Sequence, residues 1–370
     1  MSALRETITA NPGLWLAVGG LVLGLAFGFI VQHTNFCTMG AISDIRAFGD
    51  WRRFRAWVLA AATTLIGAQA LENAGVVQLS QSMYLAPRLN WLGHAAGGVM
   101  FGFGMVFAGG CASRNLARIG AGDLRSLLAL MVMGLFAYMT IGGLIGPIRA
   151  ALEQATAFDL SGIVGAKLAT QSLGEIAGTL GRLGTPAGNL IVTMLIGGGA
   201  LIFCFADVSF RGSPAYVIAG LGLGLVAVAG WALTGLAVDE LADKPVAPIS
   251  LTFVRPTADT LEWLQRFTAA MMPAFGVATV LGAILGAFLA ALMKGTFRLQ
   301  TFAGIGDTKR NLLGAALMGV GGVMALGCTV GQAITGVSTL ALGSFITFAA
   351  IVAGALVGLK ALERMLEAEI

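Results

Sequence analysis

Gly97–Cys111 reads GGVMFGFGMVFAGGC and runs on into Ala112-Ser113-Arg114-Asn115. An apolar, glycine-rich run of helix length ends at Gly109-Gly110-Cys111, and the chain restarts with small polar residues. The construction recurs 217 positions later, where Gly314–Cys328 reads GAALMGVGGVMALGC ahead of Thr329-Val330-Gly331-Gln332. Seven of the fifteen aligned positions are identical, and the last two pairs are Gly110/Gly327 and Cys111/Cys328. A helix weakened by glycine, with a thiol at the break and a polar restart, is how membrane transport proteins build a site from backbone and a few soft side chains.

The surrounding chain has the composition this requires. It has 370 residues, 57% hydrophobic and 11% charged, with a mean hydropathy of +0.87. A soluble domain carries about 25% charged residues. The apolar runs are roughly 20 residues long and do not alternate, which suits membrane helices and excludes a β-barrel. The fold expected is an all-α polytopic membrane protein. The net charge of +4 does not point to nucleic acid, because the basic residues flank apolar spans. There is no good signal peptide, since Gly13–Val31 is long enough to stay in the bilayer. Four cysteines at 37, 111, 204 and 328 form no C-x-x-C pair, so neither a disulfide framework nor a zinc site is expected. No metal or cofactor is expected.

Nine transmembrane helices are read: Leu14–Ile30, Ala56–Gly75, Trp91–Gly110, Leu124–Gly146, Asn189–Ala206, Ala215–Gly235, Ala269–Met293, Leu312–Gly327 and Leu340–Leu359. Short intramembrane helices are expected after the breaks, and Ile148–Gly188 and Val238–Arg266 are expected to be external segments. Fourteen of the 22 Lys and Arg residues fall in the loops of one side. By the positive-inside rule that side is cytoplasmic, which leaves the N-terminus outside and the C-terminus inside.

The 217-residue echo pairs the third span with the eighth. A second match, Gly20–Leu25 with Gly220–Leu225, is identical at five of six positions and pairs the first with the sixth. Members of each pair are five spans apart, so they cross the membrane in opposite directions. The expected organisation is a first repeat over 1–148, an external loop and connector span over 149–212, and a second, inverted-topology repeat over 213–370. Inverted repeats place the substrate near their interface. Cys37 has no partner at the 200 offset, which gives Ala237.

Helix starts inside the protein favour an anion through free N–H groups. Asn115 and Gln332 stand in equivalent places, and each carboxamide can donate two hydrogen bonds. Beside them Cys111 and Cys328 offer weak S–H donors and polarisable sulfur. A sulfur-containing anion would use all of these together. Arg114 can attract that anion or act as an ordinary positive-inside anchor. A free cysteine otherwise packs as a small hydrophobe, and Cys204, within Ile202-Phe203-Cys204-Phe205, reads that way. Two other classes use the same thiols: a membrane thiol oxidoreductase, disfavoured by the missing C-x-x-C, and a soft-metal transporter, disfavoured by the lack of Met- or His-rich loops.

Asn35-Phe36-Cys37-Thr38-Met39-Gly40-Ala41, Gly109-Gly110-Cys111-Ala112-Ser113-Arg114-Asn115 and Gly327-Cys328-Thr329-Val330-Gly331-Gln332 together resemble the YeeE/YedE family of bacterial inner-membrane proteins. The resemblance covers nearly the whole chain. It implies a transporter, not an enzyme, that imports thiosulfate or a related sulfur or selenium species. It also implies that Cys37, Cys111 and Cys328 pass the ion along by S–H to sulfur hydrogen bonds. Gly110, Arg114, Asn115, Gly327, Thr329 and Gln332 complete the expected pathway. A cytoplasmic sulfur carrier of the SirA/TusA type as partner follows from the same likeness, and in an inner membrane the charge bias makes the N-terminus periplasmic and the C-terminus cytoplasmic.

Overall fold

A computed structural model describes residues 2–160, 168–238 and 246–368. Its long helices are Pro12–Thr34, Arg52–Asn73, Trp91–Phe107, Leu124–Ile141, Thr185–Phe205, Pro214–Leu236, Phe275–Met293, Ile305–Met324 and Leu342–Ala368. The only sheet among the described residues is a two-residue antiparallel pair, Arg88–Leu89 with Phe158–Asp159. The protein is an all-α polytopic membrane protein. Eight stretches among the described residues are long and apolar enough to cross a bilayer. The remaining expected span, Leu312–Gly327, falls on Ile305–Met324, whose first turns carry Asp307, Lys309 and Arg310. By length and apolarity eight of the nine expected spans thus stand among the described residues, and this helix is buried among the others through Gly314, Ala315, Met318 and Gly321.

Contacts between helix ends give the directions. On one face Lys294 donates to the His33 carbonyl, Arg55 to that of Phe203 and Asn311 to that of Ala108. Arg46 pairs there with Glu363 at 2.5 Å. On the face where the chain begins, Gly13, Ile141, Phe275 and Gly327 line one cavity. Successive long helices thus run in opposite directions.

Lipid tails supply no hydrophobic drive between helices, so close backbone approach has to hold them. A Cβ on Gly24 or Gly28 would stand 2.3 and 1.9 Å from the Thr279 and Ala283 carbonyl oxygens, so Pro12–Thr34 lies backbone to backbone on Phe275–Met293. Arg52–Asn73 packs in the same manner on Pro214–Leu236. Trp91–Phe107 crosses Ile305–Met324, and these two pack on Leu342–Ala368 and Leu124–Ile141 respectively. A Cβ on Gly97 would meet the Gly321 carbonyl at 2.7 Å, and one on Gly321 would meet the Gly97 carbonyl at 2.6 Å. Gly104 and Gly314 face each other likewise, both at 2.6 Å. Exchanging residues 217 apart maps this crossing onto itself.

The expectation for Val238–Arg266 requires correction. Val254–Gln265 is a helix folded into the protein, packed on Leu124–Ile141 and Phe275–Met293, with Leu251, Phe253, Val254 and Ala258 in the core. Its prolines and acidic residues mask that apolar face in a linear reading. Ile148–Gly188 holds Leu173–Leu180, packed on Thr185–Phe205. Residues 161–167 and 239–245 of these two segments lie outside the described residues.

Candidate functional site

Each motif cysteine follows the same turn. Asn35, Gly109 and Leu326 take left-handed backbone, with φ of 54°, 73° and 58°. The next amide, that of Phe36, Gly110 or Gly327, donates to the carbonyl five residues back, at 3.1, 2.8 and 2.8 Å. This is the Schellman closure of a helix C-terminus. The cysteine then opens a new helix: the carbonyls of Cys37, Cys111 and Cys328 accept from Ala41, Asn115 and Gln332 at 3.0, 3.0 and 2.8 Å. The restarted helices are Thr38–Phe48, Ala112–Gly120 and, after Cys328, a stretch that widens into a π-helical turn at Gly331–Gly336.

The thiols are placed differently. Cys37 Sγ accepts the Gly40 amide at 3.4 Å, and Cys328 Sγ accepts the Gly331 amide at 3.3 Å. Both therefore cap the helices they start, which leaves the S–H hydrogen free to point elsewhere. Cys111 Sγ caps nothing and lies 3.3 Å from Ser113 Oγ and 4.0 Å from Thr38 Oγ1. All three thiols are free and buried. Cys111 stands close enough to both Cys37 and Cys328 for charge on one to bear on the other. Cys111 is thus the thiol that neighbours both of the others. Cys204 donates to the Arg55 carbonyl at 3.3 Å and takes no part in the row.

The flanking residues divide between bracing and open roles. Asn115 Nδ2 donates to the Gly110 carbonyl at 2.9 Å, and its Oδ1 accepts from Ser126 at 2.9 Å. Gln332 Nε2 donates to the Ala325 carbonyl. Each carboxamide therefore ties a carbonyl of the turn before it. Arg114 donates to Asn35 Oδ1 at 3.0 Å and Gln32 Oε1 at 3.5 Å, joining the second break to the first. Thr329 is fully buried, and its hydroxyl has no hydrogen-bond partner.

On the face where the chain begins, a cavity of about 680 Å³ reaches Leu326 and Gly327, beside Cys328, and is also lined by Thr252, Arg149, Arg255 and Asp259. Toward the other face, Arg114 and Arg118 lie near enough to Cys37 for their charges to act on it, and Arg53 pairs with Asp44 at 3.2 Å. The row of thiols stands between an open cavity and a group of arginines.

Several neighbours escaped the linear reading. Phe253 precedes Val254–Gln265 as Cys37 precedes Thr38–Phe48, an offset of 216 residues and not 200. Tyr84 and Thr252 come from segments with no motif at all. Neither carries a local signal that sets it apart from its neighbours in the sequence.

The family model described as Sulphur transport matches residues 33–357. The thiosulfate transporter TsuA of Escherichia coli (strain K12) is 29% identical over 332 residues, which cover 86% of this chain and 87% of that protein. The thiosulfate transporter TsuA of Spirochaeta thermophila is 28% identical over 343 residues, covering 88% and 93%. The probable transporter YedE of Salmonella typhimurium is 32% identical over 107 residues, 28% of this chain and 24% of that one.

Proposed function

The chain belongs to the sulphur-transport (YeeE/YedE) family, and on that premise we propose that it imports thiosulfate, or a closely related sulfur anion, across a bacterial inner membrane. The observation that carries this reading is the row Cys328, Cys111, Cys37 between the cavity and the arginines. A single charge at the bilayer centre costs about 3 kcal/mol on insertion scales, and a dianion costs more. Neutral S–H and O–H donors can replace hydration without gripping the ion as a fixed cation would. Several weak sites in series allow both entry and release. Cys37 and Cys328, whose sulfurs already accept a backbone amide, direct the S–H hydrogen toward the passing ion, and Cys111 hands it between them.

Residues 1–148 and 213–370 act in this reading as two inverted-topology repeats joined by 149–212, and the self-mapping crossing of Gly97–Gly104 with Gly314–Gly321 supports it. The cavity then faces the periplasm with the N-terminus, and Arg53, Arg114 and Arg118 face the cytoplasm, where a SirA/TusA-type carrier would accept the sulfur. Purified protein in liposomes should take up labelled thiosulfate, and sulfite, sulfate and selenium analogues as competitors define the cargo. Cys111→Ala and Cys328→Ala should abolish uptake; unimpaired uptake by both would remove the thiol relay.

A further inference from the structure

Buried hydroxyls around the Cys328 end of the row behave in two ways. Most are bonded: Thr335 donates to the Leu251 carbonyl at 2.7 Å, Ser250 to that of Ala227 at 2.6 Å, and Thr257 to that of Phe253 at 2.5 Å. Thr329 is fully buried and its hydroxyl has no hydrogen-bond partner, while Tyr84, 2% exposed, meets only the Thr252 hydroxyl, in poor geometry. Buried polar groups are nearly always satisfied, so an exception calls for an occupant.

These groups converge. A Cβ added to Gly331 would stand 2.5 Å from Thr252 Oγ1 and 3.6 Å from Tyr84 Oη, so both hydroxyls lie over one bare glycine. The amide of that glycine donates to Cys328 Sγ at 3.3 Å, which puts the thiol at the same spot. Tyr84 is also near enough to Cys328 for charge to couple them. Thr252 and Met83 line the 680 Å³ cavity, so the spot adjoins that opening. Burial, and then Cys328, raise the Tyr84 phenol above its ordinary pKa, so it keeps its proton and can donate.

We propose that Tyr84, Thr252 and Thr329 form, with the Cys328 thiol, a binding site for a tetrahedral sulfur oxyanion at the inner end of the cavity, and that the Tyr84 hydroxyl sets its affinity. The hydroxyls hold oxygens while the thiol meets the terminal sulfur. This rests on the transport reading and assigns the oxyanion half of recognition, which the cysteines alone leave open.

The test compares Tyr84→Phe with the unmodified protein in thiosulfate uptake by liposomes and in thermal stabilisation by thiosulfate. Loss of one hydrogen bond to a charged group should raise KM roughly 10-fold and shrink the thiosulfate-induced shift, with Vmax nearly kept. Without ligand, the variant should melt within a few degrees of the unmodified protein, because the lost hydroxyl meets only that of Thr252. An unchanged KM together with an unchanged shift would overturn the site. Should Tyr84→Phe fail to fold, Thr252→Val is judged by the same readouts. If the unmodified protein neither takes up thiosulfate nor is stabilised by it, the transport reading fails. Stabilisation by sulfite or sulfate that disappears in Tyr84→Phe would then still uphold the site with another cargo. Normal transport with a silent Tyr84→Phe removes this inference alone.

Discussion

Cys37 and Cys328 each combine two properties that serine separates. Their sulfurs cap a helix start through the Gly40 and Gly331 amides, and their softness suits a sulfur ligand. Serine is among the best N-cap residues, so Cys37→Ser and Cys328→Ser should keep the melting temperature within a few degrees, roughly the effect of less than 1 kcal/mol. Thiosulfate uptake should nevertheless fall about 10-fold or more, because a hydroxyl holds sulfur poorly. Uptake and melting measured on the same preparations separate the two roles. The cysteines were legible in the sequence because Cys111 and Cys328 repeat and Cys37 sits in a polar break. The directions of Asn115 and Gln332 were not, since a side chain's partner depends on the turn its backbone makes. Both carboxamides face back to carbonyls of their own break.

At the level of the element, the recurring unit is the closed helix end followed by a thiol-started helix. Leu326 in left-handed backbone, where the first repeat has Gly109, shows that the turn is imposed by the fold and not only by glycine. Gly109→Ala should cost about 1 kcal/mol for the positive φ and press on Arg118, whose Nη1 would stand 3.1 Å from the new Cβ. A lower melting temperature with reduced uptake would report it. A different end effect governs Arg52–Asn73. Asp50 accepts the Arg52 amide at 2.9 Å and pairs with its guanidinium at 2.7 Å, which holds the carboxyl below its ordinary range. A depressed pKa stabilises the fold above the ordinary carboxylate value, and that support is lost as pH falls through the lowered one. Asp50→Asn should therefore lower the melting temperature at pH 7 by the equivalent of about 0.5 kcal/mol. The difference should vanish once acid protonates Asp50 in the unmodified protein.

For the whole molecule the central feature is the crossing of Trp91–Phe107 with Ile305–Met324. Because Gly97 meets Gly321 as Gly314 meets Gly104, Gly97→Ala and Gly321→Ala should destabilise by similar amounts, on the order of 1–3 kcal/mol each. Gly198→Ala, on a helix face with nothing within 4 Å of the new Cβ, should leave the melting temperature unchanged. Unequal losses at Gly97 and Gly321 would argue against two equivalent halves.

The sequence by itself determined the class of fold, the places of the helices and the three breaks. Lipid forces every backbone polar group to be satisfied within its own helix, so apolar length and glycine placement are local signals that can be read along the chain. It also exposed the Gly-Cys echo, because a repeat is a property of order alone. Only the tertiary structure turned Val254–Gln265 inward, set Phe253 ahead of it as Cys37 stands ahead of Thr38–Phe48, and brought Tyr84 and Thr252 to Gly331. Those relations join segments far apart in the chain. Packing, not any local preference, decides which of their polar groups find partners and which wait for a ligand.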